Sequence, residues 1–164
     1  MAQRRIKFAH RSTPPIGQFL DVNGHRVHAY VMGQGPDLVI IHGSNANVRD
    51  MTMSIAPALS ERYRVILLDR PGHGYTPEVD PHGASLKTQA LLLRDAALML
   101  GAEKPMVMGH SFGGAIALSW AIYAPNNISG LLPLAACSNP WTTPLEAIYR
   151  LASLPIIGWP FSFF

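Results

Sequence analysis

One stretch of the sequence constrains the fold more than any other: Gly109-His110-Ser111-Phe112-Gly113-Gly114. Residues 105–108 before it are short and apolar, as in a buried parallel strand, and residues 115–123 after it favour a helix. A G-x-S-x-G pattern between a strand and a helix predicts a strained turn that exposes Ser111 at the carboxyl edge of a sheet. Small residues are required at 109 and 113, because a Cβ there would collide with the neighbouring strand and helix. The first helical N–H, on Phe112, is then expected to point at the oxygen of any carbonyl that Ser111 attacks.

Turn and helix signals along the rest of the chain predict the order of the elements. Asn23-Gly24 favours positive φ, which predicts a two-residue hairpin between strands at 19–22 and 25–32. Further strands are predicted at 37–41, 64–68 and 130–136, and helices at 85–100 and at 48–62, the latter kinked or broken at Pro57. This alternation predicts an α/β fold: a mostly parallel twisted sheet with helices on both faces.

Two upstream segments begin where apolar strands end. Residues 37–41 run into His42-Gly43-Ser44-Asn45, and residues 64–68 run into Asp69-Arg70-Pro71-Gly72-His73-Gly74-Tyr75-Thr76. With the Ser111 turn, and in this order, they resemble the α/β-hydrolase family, in its serine-nucleophile branch, over residues 15–139. The resemblance implies that Ser111 is the nucleophile and that the backbone amides of Ser44 and Phe112 form the oxyanion hole. It also implies supporting roles for His42, Gly43, Asn45, Gly109, His110, Gly113 and Gly114.

The remaining catalytic groups of that family have no counterpart here. The family places an acid and then a histidine after the serine. All seven histidines precede Ser111, and Glu146 is the only carboxylate that follows it. We therefore expect a fold that is incomplete at the C-terminus, with a basic flexible arm at 1–14, the N-terminal part of a hydrolase core at 15–139 and the start of a helical lid or severed tail at 140–164. No triad acid or histidine is expected in this chain, which is then expected to be almost inactive.

Several histidines and glycines allow other interpretations. His25 and His28 resemble a metal pair, but residues three apart on a strand face opposite sides, so we expect a solvated strand edge and no metal site. His42 and His73 are expected to make loop-fixing hydrogen bonds rather than to act as bases. The glycine clusters complete no phosphate-binding motif, so no nucleotide or other cofactor is expected.

Composition narrows the partners and the compartment. The net charge of +3 owes much to the N-terminal arm, which could touch nucleic acid or anionic lipid but is expected to be a solvated terminus. The apolar tail at 154–164 is broken by prolines and is far shorter than the roughly 20 residues that span a membrane, so membrane attachment is not expected. A single cysteine, Cys137, permits no internal disulfide and fits a cytoplasmic protein. An open sheet edge would favour self-association or aggregation.

Three functions remain open at this stage. The resemblance favours a serine hydrolase of the esterase, lipase or C–C-bond hydrolase type, acting on a small-molecule acyl or ester substrate. Ser111 argues against epoxide opening and halide displacement, because the family members with those activities have Asp at this position. The alternatives are a non-catalytic fragment or interaction module, and a cofactor-free haloperoxidase or perhydrolase on the same fold.

Overall fold

One six-stranded mixed sheet organises residues 13–139, the part of the chain that this computed structural model describes. In chain order its strands are β1 (Gln18–Val22), β2 (His25–Met32), β3 (Asp37–Ile41), β4 (Arg64–Leu68), β5 (Met106–His110) and β6 (Gly130–Leu134). Their order across the sheet is β1-β2-β4-β3-β5-β6. The β1–β2 and β2–β4 pairs are antiparallel and the other three pairs are parallel, which confirms the predicted fold class.

The hairpin between β1 and β2 has the turn that its sequence predicts. Asn23 and Gly24 have φ angles of 54° and 83°, and Val22 pairs directly with His25. Two consecutive positive φ angles match the right-handed twist of the flanking strands, which is why Asn-Gly is favoured there. At the other edge, β6 ends at Leu134, two residues earlier than expected, because Ala135 has a φ of 45° and cannot continue an extended strand.

Within residues 13–139 four α-helices flank the sheet, α1 (Val48–Thr52), α2 (Ala56–Ser60), α3 (Leu86–Met99) and α4 (Phe112–Tyr123), and a short 3-10 helix spans Pro125–Asn127. α1 and α2 show the break that was expected at Pro57 in the helix predicted over 48–62. Pro57 lies in the first turn of α2, where its missing N–H costs nothing, and its ring would clash with the carbonyl of Met53 in a continuous helix. α3 begins after Ser85, whose Oγ accepts the Thr88 N–H at 3.0 Å.

Apolar side chains fill the space on both faces of the sheet. On one face α3 and α4 pack against Val39, Ile41 and Ile66, with Trp120 of α4 fully buried. On the other face α1 and α2 pack against Leu38, Ile40, Val65 and Leu67. A strand covered on both faces has no polar side, which explains why β3 and β4 are continuous apolar runs. Among residues 13–139, no helix is both long and apolar enough to cross a membrane.

Candidate active site

Ser111 occupies a strained turn between β5 and α4. Its φ and ψ angles are 53° and −119°, a backbone conformation that residues other than glycine rarely adopt. Backbone hydrogen bonds hold it there: Ser111 N–H donates to Leu134 O at 2.9 Å, and Ser111 O accepts from Gly114 N–H at 2.9 Å. Ser111 is half-buried, and its hydroxyl makes no capping hydrogen bond to the N-terminus of α4. The strained turn expected from the sequence is therefore present.

The glycines around Ser111 are required by close backbone contacts. A Cβ on Gly109 would lie 2.2 Å from Gly113 O, and a Cβ on Gly113 would lie 2.3 Å from Ile41 O. On Gly114 it would lie 2.5 Å from the Cβ of Ala136. These distances are far below van der Waals contact, so any larger residue would force α4 away from β3 and β5. The expected steric role of Gly109 and Gly113 is confirmed.

The loop after β3 lies against the Ser111 turn. Parallel pairing sets Ile41 beside Gly109, so the two strands end at the same edge of the sheet. A Cβ built on Gly43 would lie 3.2 Å from Ser111 Cβ and 3.2 Å from Nδ1 of the exposed His110. Ser44, Asn45 and Phe112 line one cavity of about 400 Å³. The structure thus brings the two residues expected to supply oxyanion amides to a common cavity, whose lining includes Phe112 but not Ser111 itself.

His42 is held as a neutral imidazole by two hydrogen bonds. Its Nε2 accepts the Arg70 backbone N–H at 3.0 Å, which leaves the proton on Nδ1, and Nδ1 donates to Gly43 O at 2.9 Å. Burial, together with the nearby Arg70 charge, lowers the pKa of His42 to about 4. With its basic nitrogen occupied, His42 has no lone pair to offer Ser111, and the expected loop-fixing hydrogen bonds are present. His73 likewise bonds Pro71 O through Nδ1, at 3.0 Å.

Arg70 is the residue of this site that sequence reasoning missed. It is 2% exposed, and burial lowers the pKa of its guanidinium to about 10. Nε donates to His42 O at 3.1 Å, Nη2 donates to Gly43 O at 2.9 Å, and the Cζ atom lies 5.0 Å from the centroid of the Phe112 ring. Its place directly after β4, in the segment that resembles the family, was the available signal.

The expectation for His28 was wrong. His28 does not lie on a solvated edge but is 1% exposed, because β2 is an interior strand that pairs with β4 as well as β1. Its Nδ1 donates to Asp69 Oδ2 at 2.7 Å, while Nε2 accepts the Gly17 N–H at 3.3 Å. His25 is exposed, at the start of β2 next to the hairpin turn.

Asp69 accepts hydrogen bonds from three directions. Besides His28, its carboxylate accepts the Val48 N–H at 2.8 Å and the Tyr75 N–H at 2.9 Å. Burial opposes ionisation of this carboxyl, but the hydrogen bonds from His28, Tyr75 and Val48 outweigh it and lower the pKa of Asp69. Asp69 thereby ties β2, the start of α1 and the loop after β4 together.

Two features are absent from residues 13–139: a histidine bonded to Ser111 and a cluster of metal-binding side chains. Within residues 13–139, no hydrogen bond joins Ser111 Oγ to a histidine. The same residues contain no cluster of three His, Cys, Asp or Glu side chains that could hold a metal ion. Glu146, the expected lid at 140–164 and nearly all of the expected arm at 1–14 lie outside the described residues.

Comparison with known proteins assigns the class. A family model described as the alpha/beta hydrolase fold matches residues 36–156, and the chain belongs to this family. An uncharacterised protein of Mycobacterium tuberculosis is 31% identical over 156 residues, which cover 94% of this chain and 44% of that protein. The pimeloyl-[acyl-carrier protein] methyl ester esterase of Vibrio campbellii is 35% identical over 121 residues, which cover 70% of this chain and 44% of the esterase.

A solved structure agrees with the fold. The meta-cleavage product hydrolase of Pseudomonas fluorescens matches with a TM-score of 0.71 at 23% identity, over 84% of this chain and 55% of that chain. Identity at this level supports the fold alone. The chain spans less than half the length of the two curated relatives, at 44% of each.

Proposed function

We propose that this chain carries the nucleophile and the oxyanion hole of a serine hydrolase that transfers an acyl group to water. The observation that carries the proposal is the strained Ser111 between β5 and α4, with the His42–Asn45 loop packed against it. Strain of this kind persists where the surrounding structure enforces it, and it clusters at functional sites. The esterase among the similar proteins is a hydrolase by name.

In the proposed reaction, Ser111 Oγ attacks the carbonyl carbon of the substrate. A C–O bond forms, the carbonyl π electrons move to oxygen, and the oxyanion accepts hydrogen bonds from the Phe112 and Ser44 N–H groups. The dipole of α4 adds positive potential from behind Phe112. Collapse of the tetrahedral intermediate expels the leaving group, and water then releases the acyl group from Ser111.

The proton of Ser111 needs an acceptor, and within residues 13–139 no hydrogen bond joins Ser111 Oγ to a histidine. His42 is excluded by its hydrogen bonds, and His28 is excluded because Gly17 occupies its Nε2. We propose that the base is a histidine outside residues 13–139, because the family order places the histidine after the serine. The 164-residue chain by itself is then expected to hydrolyse activated esters far below the roughly 10 per second of a typical enzyme.

The assignment of Ser111 is tested by covalent labelling of the protein expressed from its complete reading frame. A fluorophosphonate probe should label the wild type once, and Ser111→Ala should abolish labelling. Ser138→Ala is the matched control. Ser138 is exposed and follows Cys137, whose N–H donates to Ser111 O, so it lies near the same turn, and its loss should leave labelling unchanged. Undiminished labelling of Ser111→Ala would refute the assignment.

A further inference from the structure

The Gly43–Ser44 peptide is held by its carbonyl oxygen from two sides. His42 Nδ1 and Arg70 Nη2 both donate to Gly43 O, each at 2.9 Å. In a trans peptide the C=O and the following N–H lie in one plane and point in opposite directions. Fixing the carbonyl of Gly43 therefore fixes the direction of the Ser44 N–H, which is the second proposed oxyanion donor.

The same guanidinium also contacts the residue that bears the first donor. Arg70 Cζ lies 5.0 Å from the centroid of the Phe112 ring, a cation–π contact with the first residue of α4. Nε meanwhile donates to His42 O at 3.1 Å. One side chain therefore spans the loop after β3 and the start of α4.

Neighbouring side chains fix the orientation of the guanidinium. Nη1 donates to Gln89 Oε1 at 3.2 Å, and Gln89 is itself held by Ala84 O, which accepts from its Nε2 at 2.8 Å. His73 Nε2 lies 3.1 Å from Nη2. None of these partners is a carboxylate, so the buried positive charge of Arg70 is not cancelled by a bonded carboxylate. A buried cation is costly unless it is paired, which argues that it is retained for a purpose other than stability.

We propose that Arg70 is a positioning residue that sets the Ser44 and Phe112 amides at the separation an oxyanion requires. The proposal rests on the proposed function, since it concerns the same oxyanion hole. Arg70 need not touch the substrate: it acts through the Gly43 carbonyl and the Phe112 ring.

The test compares Arg70→Met and Arg70→Lys with wild type in fluorophosphonate labelling of the protein from its complete reading frame. For Arg70→Met we expect the maximal labelling rate to fall at least tenfold, since loss of one oxyanion donor typically costs about 10²–10³ in rate. The half-saturating probe concentration and the final labelling of one probe per chain should stay within twofold of wild type, because the folded site still binds the probe. Lysine keeps the charge but has one nitrogen and cannot hold two carbonyls and a ring together, so its rate should fall as well.

Arg64→Met is the matched control, because Arg64 is also hydrogen-bonded to a neighbouring group, Asp37, and lies at the opposite end of β4. Its labelling rate should match wild type. A rate within twofold of wild type in Arg70→Met, full rescue by lysine, or a loss confined to the final labelling yield would each overturn the proposal.

A second measurement separates this proposal from the assignment of Ser111. If the wild type is not labelled, the proposed function fails, but the restraint on the peptide can still be measured by ¹⁵N relaxation in serine-labelled protein. The heteronuclear NOE of the Ser44 amide should fall in Arg70→Met and not in Arg64→Met. An unchanged Ser44 signal would overturn the positioning role whatever Ser111 does.

Discussion

Asp69 and Arg70 are consecutive, oppositely charged and equally buried, at 1% and 2% exposure, yet their surroundings differ in kind. The carboxylate of Asp69 accepts from His28, Val48 and Tyr75, which join β2, α1 and the loop after β4. Among the described residues, the guanidinium of Arg70 bonds no carboxylate: it meets backbone carbonyls, the Gln89 amide, His73 Nε2 and the Phe112 ring, around the proposed oxyanion hole. Hydrogen bonds that lower the pKa of a buried carboxyl stabilise its charged form in the folded protein, whereas burial that lowers the pKa of a guanidinium destabilises its charged form.

The largest expected effect is the loss of stability when Asp69, and not Arg70, is replaced. Asp69→Asn should lower the free energy of unfolding by about 3–5 kcal/mol, because an amide cannot accept all three hydrogen bonds and leaves buried donors unpaired. Urea unfolding followed by circular dichroism measures this loss. Asp37→Asn is the control: it breaks the partly exposed pair with Arg64 and should cost less than about 1 kcal/mol. Equal losses in the two variants would contradict the structural role of Asp69.

The next effect, somewhat smaller, is a pH dependence of the free energy of unfolding that is caused by His42, a neighbour of both Asp69 and Arg70. Its Nε2 is 3.9 Å from Asp69 Oδ1 and accepts from Arg70, and its pKa is lowered from 6.5 to about 4. Between these values the unfolded chain binds more protons than the folded one, so stability falls as the pH drops from about 6.5 to about 4. The loss should reach about 3 kcal/mol, and below pH 4 His42 adds no further change.

Urea unfolding at pH 7, 5.5 and 4.5 measures this dependence. Because the Arg70 charge contributes to lowering the pKa of His42, the loss should be smaller in Arg70→Met. His25→Gln, at an exposed position, should retain the full dependence. An identical loss in wild type and Arg70→Met would show that the charge of Arg70 does not reach His42.

The smallest expected effect is on the stability of Arg70→Met itself. The lost hydrogen bonds to His42 O and Gly43 O are offset by relief from burying an uncancelled charge, so the free energy of unfolding at pH 7 should stay within about 1 kcal/mol of wild type. The labelling rate of the same variant is nevertheless expected to fall at least about tenfold. A destabilisation as large as that of Asp69→Asn would place Arg70 with the structural residues and remove the contrast.

Local signals were enough for most of the fold. The Asn23-Gly24 turn depends on the backbone within a few residues. The strained Ser111 and the glycines at 109 and 113 also meet distant backbone, at Leu134 and Ile41, but a short sequence motif between a strand and a helix was enough to predict them. The helix predicted at 48–62 was divided because a proline can begin a helix but not continue one. The expected end of β6 failed because nothing in its apolar sequence indicates the positive φ of Ala135.

The errors at the candidate site have a different cause. His28 was assigned to a solvated edge because the sequence does not state which strand pairs with the free side of β2, and that partner, β4, begins 32 residues after β2 ends. Arg70 was missed because its partners are scattered along the chain, at positions 42, 43, 73, 89 and 112.

The sequence by itself determined the elements, the family resemblance and the conformation of the Ser111 turn, because hydrophobic period, turn residues and the G-x-S-x-G motif each lie within a short stretch of sequence. Only the tertiary structure decided which of two adjacent charges joins the strands and which faces the proposed oxyanion hole. The order of strands across the sheet sets the neighbours of a buried charge, and those neighbours determine whether burial is compensated.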